Sequence, residues 1–224
     1  MAVFIVSGLR RSGNHAILSW LMGMLPHTCH LNDLPPKLCR MELYELMARD
    51  DLPATPSRIR ADRQWIPFPK SHTLIISLES HETTSVRRCL ERFPDATKVV
   101  ILRTADNALA SAHKAGYNLQ TYKRLWQSYV AERHHLGTTA LFDLWLTNST
   151  YRRRLAAALG VDFNDNQFCQ RIKWGTSSFT SATKDDMLRR AEEFAADSDF
   201  QNAAVPLHPQ STQLVEEERA EKMP

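Results

Sequence analysis

Apolar residues in this chain collect into short unbroken runs, separated by longer stretches where they recur at helical spacing. The runs AVFIV at 2–6, TLIISL at 73–78 and KVVIL at 98–102 show no polar alternation, as expected of strands covered on both faces of a parallel sheet. Helical patterns follow at 16–25 (AILSWLMGML), 82–93 (Val86, Cys89, Leu90 and Phe93), 107–114, 125–136, 151–159 (closed by Gly160) and 187–196. A short strand is expected at 30–33, ended by Pro35-Pro36, with a turn or two of helix at 41–47 and a further strand at 141–145. Four prolines and many charges between 50 and 70 predict a surface excursion. From 205 the Pro, Gln and Ser residues and the run VEEERAEK predict a loose acidic tail, leaving 1–204 as a single domain. Strands alternating with helices predict a three-layer α/β fold, a central parallel sheet flanked by helices.

Composition adds limits more than direction. Lys and Arg number 28 against 25 Asp and Glu, a net charge of +3 that gives no ground for a nucleic-acid or membrane partner. No run approaches the roughly 18 apolar residues of a membrane span, and the short apolar start has no basic segment before it, as a signal peptide would. The four cysteines (Cys29, Cys39, Cys89, Cys169) show no paired or zinc-ligand spacing, so reduced thiols in a cytoplasmic protein are expected. Glycine is scarce, with 7 residues, which gives weight to two of them five positions apart, Gly8 and Gly13.

Those glycines bound the segment Gly8-Leu9-Arg10-Arg11-Ser12-Gly13-Asn14-His15 between the first strand and the first helix. The spacing is that of a nucleoside-triphosphate P-loop, in which glycines let backbone N–H groups approach an anion at a helix N-terminus. Arg10 and Arg11 add cationic forks for phosphate oxygens. A triphosphate loop ends in Lys followed by Ser or Thr, whose hydroxyl holds Mg²⁺. Here Asn14 and His15 stand in those places, which predicts anion binding without a metal. A strand-end arginine, Arg103, is a second anion candidate, with Asp106 as the alternative ion-pair partner, and Ser111 lies eight residues on.

FIVSGLRRSGNHAILSWL followed by VVILRTADNALASAHK resembles the two cofactor signatures of the sulfotransferases that use 3′-phosphoadenosine 5′-phosphosulfate (PAPS) on a P-loop NTPase-like fold. The resemblance implies that Arg11, Ser12 and Gly13, with Arg10, Asn14 and His15 around them, cradle the 5′-phosphosulfate. It implies that Arg103 and Ser111 bind the 3′-phosphate. A late loop, Arg171-Ile172-Lys173-Trp174-Gly175-Thr176-Ser177-Ser178-Phe179, is similar to one that closes over the 3′-phosphate and adenine, bringing in Arg171, Gly175, Ser177 and Ser178. Such an enzyme moves a sulfuryl group to an acceptor hydroxyl, with carbohydrate one candidate acceptor.

Arg11 and the loop N–H groups suit stabilisation of the leaving phosphate. For the base the candidates, in order, are His81, Glu79 and Asp33; imidazole titrates near neutral pH, whereas Glu79 needs desolvation to do so. Two other readings remain: a small-molecule kinase on the same fold, and a nucleotide-binding protein without catalysis. His134-His135 reads as a solvated pair, and Trp20 and Trp126 read as core.

Overall fold

A computed structural model describes residues 2–25, 28–35, 73–165 and 188–221. The segments expected at 41–47, 50–70 and 171–179, the last carrying Arg171, Gly175, Ser177 and Ser178, lie outside these residues. Five strands, β1 Ala2–Gly8, β2 Thr28–Leu31, β3 Thr73–Glu79, β4 Thr97–Leu102 and β5 Thr138–Leu141, form one sheet in the order β2-β3-β1-β4-β5. Every neighbouring pair is parallel. Helices surround it: α1 Asn14–Met24, α2 Thr83–Arg92, α3 Ala105–Lys114, α4 Leu119–Leu136, α5 Phe142–Thr147, α6 Ser149–Ala158, α7 Ser198–Ala204 and α8 His208–Glu221. This is the expected three-layer α/β arrangement.

The unbroken apolar runs follow from that layering. All seven residues of β3 and the last five of β1 are buried, since helices cover both faces of a central strand. Register sets Gly8 of β1 beside Glu79 of β3 and Ile101 of β4, so three strands end together. Chain leaves β1 toward β2 and leaves β3 toward β4, opposite directions from adjacent strands, which opens a crevice at their carboxyl ends. The tryptophans fill the core as expected: Trp20 and Trp126 are buried, and Trp126 Nε1 donates to the Arg103 carbonyl at 2.9 Å. His134 and His135 are exposed on α4.

Four expectations need correction. The strand read at 141–145 ends at Leu141, and Phe142–Thr147 is a helix, buried from Phe142 to Leu146. A short run that is apolar on every side carries no periodicity and fits either element. The helix read at 187–196 contains a 3-10 turn at Arg190–Phe194. The loose tail is instead the 14-residue α8, which buries Ser211, Leu214 and Glu218, while Arg133 pairs with Glu217. Its acidic residues misled because Tyr151 donates to the buried Glu218 at 3.1 Å, so that charge belongs to the interior. Finally, Cys89, fully buried on α2, is disulfide-bonded, so the expectation of four reduced thiols does not hold. Among the described residues no helix is long and apolar enough to cross a membrane.

Candidate functional site

The loop from Gly8 to Gly13 is shaped by two backbone positions in the left-handed region, Arg11 at φ 74° and Gly13 at φ 91°. Ser12 N–H donates back to the Leu9 carbonyl at 3.1 Å, closing a turn, and Gly13 caps α1 with its carbonyl. Both glycines are required by neighbours. A Cβ on Gly8 would stand 2.5 Å from Asn14 Oδ1 and 2.9 Å from the Ile101 carbonyl, and one on Gly13 only 2.0 Å from the Phe142 ring. Asn14, expected to face the anion, is used internally: its Nδ2 donates to the Leu9 carbonyl at 3.0 Å, bracing the loop from inside. His15 sits half-buried in the first turn of α1. The first-turn N–H groups have no carbonyl four residues earlier in the helix, so they and the positive dipole end point out of α1 where the loop turns.

The three base candidates arrive from two neighbouring strands, and two of them, Asp33 and Glu79, meet Arg10. Asp33 follows β2, Glu79 ends β3, and His81 lies two residues beyond it. Arg10 forms an ion pair with Asp33 through Nη2 and approaches Glu79 Oε2 with Nε at 3.8 Å. His81 Nε2 lies 3.4 Å from Asp33 Oδ1, and the Glu79 N–H donates to the same oxygen at 3.1 Å. Below, Ser77 Oγ accepts the Asp33 N–H at 3.0 Å and donates to Asn32 Oδ1 at 3.2 Å. Ser80 fastens the two loops: its N–H donates to the Gly8 carbonyl and its Oγ accepts from the Arg10 N–H, both at 2.9 Å.

Backbone strain concentrates here as well. Among the described residues, three non-glycine positions have positive φ: Arg11, Asp33 at 49° and Ser80 at 58°. They follow β1, β2 and β3 in turn. Aspartate accepts this conformation readily, whereas arginine and serine give up about 1–2 kcal/mol each. Strain held in place by surrounding bonds is characteristic of functional sites.

The charges are settled by the same contacts. Burial resists ionisation of Asp33, but the nearby His81 ring, the Arg10 ion pair and the Glu79 N–H together outweigh it and bring the carboxyl from 3.8 down to about 2. Pairing with Asp33, against a smaller effect of burial, raises Arg10. Asp33 is thus ionised throughout the neutral range and too weak a base to take a proton efficiently there. It is well placed to hold the His81 ring instead, as a carboxylate fixes an imidazole tautomer. A carboxyl lowered by folding stabilises the fold only while ionised. The contribution of about 2 kcal/mol is full above pH 4, declines as pH falls and is gone below about 2. Acid unfolding of Asp33→Asn followed by circular dichroism should lack that component, so its stability should fall less than that of the unchanged protein between pH 4 and 2.

The second arginine sits deeper. Arg103 is fully buried at the end of β4, its guanidinium 5.0 Å from the Phe142 ring centroid and its Nε 3.9 Å from Asp143 Oδ1. Its carboxylate neighbour is Asp143 and not Asp106, the alternative ion-pair partner, which pairs with His208 at 3.0 Å. Asp143 also accepts the Thr104 N–H at 2.7 Å and Asn107 Nδ2 at 3.2 Å, so it pins the start of α3. Ser111 is buried on α3. Arg103 and Ser111 are thus enclosed, while Arg10 and Arg11 stand at the open rim of the loop.

Phe142 and Asp143 were missed by sequence reasoning because 141–145 was read as a strand. The available signal was a lone acid in the apolar run LFDLW, since a buried charge requires a partner. Tyr122 and Tyr117 were missed too. Tyr122 donates to the Arg10 carbonyl at 2.7 Å, and burial pushes its phenol up to about 12. Among the described residues no group of three or more His, Cys, Asp and Glu side chains is arranged to hold a metal. No protein-family model and no curated protein matches this sequence.

Proposed function

We propose that this chain transfers a sulfuryl group from PAPS to an acceptor hydroxyl, without a metal in the reaction. The observation that carries the reading is the juxtaposition, at the ends of adjacent strands, of a cationic glycine loop and an aspartate–histidine pair. The loop has Asn14 and His15 where a triphosphate loop has its lysine and metal-binding hydroxyl, and Asn14 is engaged with Leu9 inside the loop. This arrangement suits an anion met by backbone and arginine, and disfavours a Mg²⁺-dependent kinase.

The bound phosphosulfate supplies an activated sulfuryl group with a phosphate leaving group. Arg11, with the N–H groups at the start of α1, holds the 5′ end and offsets the charge that grows on the phosphate. His81 removes the acceptor proton. Asp33 keeps the ring oriented and steadies its positive charge once the proton has arrived. Arg103 and Ser111 would take the 3′-phosphate; a fully buried guanidinium of this kind gives strong discrimination once a charged group reaches it.

The test is transfer of radiolabelled sulfate from PAPS to a panel of hydroxyl compounds, with ATP and Mg²⁺ as the competing donor system. Label transfer from PAPS in the presence of a chelator supports the reading. Phosphoryl transfer that needs Mg²⁺ would replace it with the kinase.

A further inference from the structure

Arg10 is shared between two carboxylates. Arg10 carries one positive charge and faces two carboxylates, Asp33 and Glu79. The two are not equally satisfied. Asp33 is engaged by Arg10, His81 and the Glu79 N–H. The Glu79 side chain is only 7% exposed, yet among the described residues its Oε1 has no hydrogen-bond partner, and its Oε2 reaches Arg10 only at 3.8 Å. A carboxylate this enclosed with an unused oxygen is costly unless something supplies a donor.

A second feature borders the same place. Tyr117 is one of two large apolar side chains exposed among the described residues, at 38%. It lies close to the Arg10 side chain and nearly parallel to Tyr122, with ring centroids 6.4 Å apart and 26° between planes. A partly exposed tyrosine ring beside Arg10 is a suitable wall for a cation that takes the place of that side chain.

The Arg10 backbone is fixed by Ser80 and Tyr122, but its side chain is 49% exposed and can pivot toward an anion bound in its own loop. If it turns there, both carboxylates lose their cation. From this we infer that Glu79 and Tyr117 form the acceptor subsite, and that the acceptor is a hydroxyl compound carrying a protonated amine. The ammonium takes the place beside Glu79 that Arg10 approaches when no donor is bound, and the hydroxyl is left toward His81. This inference rests on the sulfuryl-transfer reading and adds the class of acceptor to it.

The experiment measures transfer from radiolabelled PAPS to two matched pairs, glucosamine against N-acetylglucosamine and tyramine against 4-ethylphenol, alongside calorimetric binding of 3′-phosphoadenosine 5′-phosphate. Within each pair the amine should be favoured in kcat/KM by about tenfold or more, the size of one partly buried charge contact. Glu79→Gln should bring that preference close to parity while its affinity for the nucleotide stays within about twofold of the unchanged protein. Equal or better use of the neutral partners overturns the inference, as does a preference that survives Glu79→Gln. Nucleotide binding with no sulfation of either amine also overturns it, leaving the donor reading in place, whereas no nucleotide binding removes both. Should Glu79→Gln not fold, the comparison within each pair in the unchanged protein decides, with Tyr117→Ala expected to weaken the preference.

Discussion

Gly13→Ala should destabilise the protein by about 3 kcal/mol or more, a large share of the roughly 5–15 kcal/mol that holds a domain together. Two costs combine. Alanine at φ 91° is strained, and its methyl would lie 2.0 Å from the Phe142 ring, which is itself packed on Trp145 at 5.7 Å and so cannot yield easily. Gly160→Ala separates the two effects. That glycine also has a positive φ, of 68°, but nothing stands within 4 Å of its added carbon. It should lose only the conformational term of about 1–2 kcal/mol. Chemical denaturation of the two variants checks the difference. Phe142→Leu in the Gly13→Ala background should recover part of the loss, since the coupling is a steric contact between the two positions. Equal destabilisation by the two alanines would mean that the contact with Phe142 does not hold the loop in place.

His81→Ala should lower the rate of sulfuryl transfer by about 10²–10⁴-fold, the usual contribution of a positioned general base. Nucleotide affinity should change little, because His81 lies against Asp33, which stands between it and Arg10 of the loop. Asp33→Asn should reduce the rate as well, through a misoriented ring, while leaving nucleotide affinity nearly unchanged. Transfer at the unchanged rate in His81→Ala would move the base to Glu79.

The layout of the fold was legible because strands buried on both faces leave unbroken apolar runs, as β1, β3 and β4 do. The same rule failed at β5 and α5, where Leu141, Phe142, Leu144, Trp145 and Leu146 are all buried, so no periodicity distinguishes strand from helix. It failed again at α8, whose acidic surface hid the contacts of Leu214 and Glu218. Glycine spacing and the strand-to-helix order picked out the loop from Gly8 to Gly13. They could not say that Asn14 turns inward or that Phe142 lies beneath Gly13, because those partners come from distant parts of the chain. The candidates Asp33, Glu79 and His81 were each legible as polar residues at strand ends. The meeting of Asp33 and Glu79 at Arg10 depends on β3 lying between β2 and β1, an order that local sequence does not encode. The enclosure of Arg103 by Phe142 and Asp143 escaped for the same reason.

The most direct test of the central claim is isothermal titration of the protein with 3′-phosphoadenosine 5′-phosphate. Binding should be measurable with EDTA present. Arg11→Ala should weaken it by about tenfold to a hundredfold, the loss of one or two charge-assisted contacts. Arg103→Ala should weaken it similarly while leaving the affinity for adenosine 5′-phosphate, which has no 3′-phosphate, nearly unchanged. No heat of binding from the unchanged protein would contradict the account.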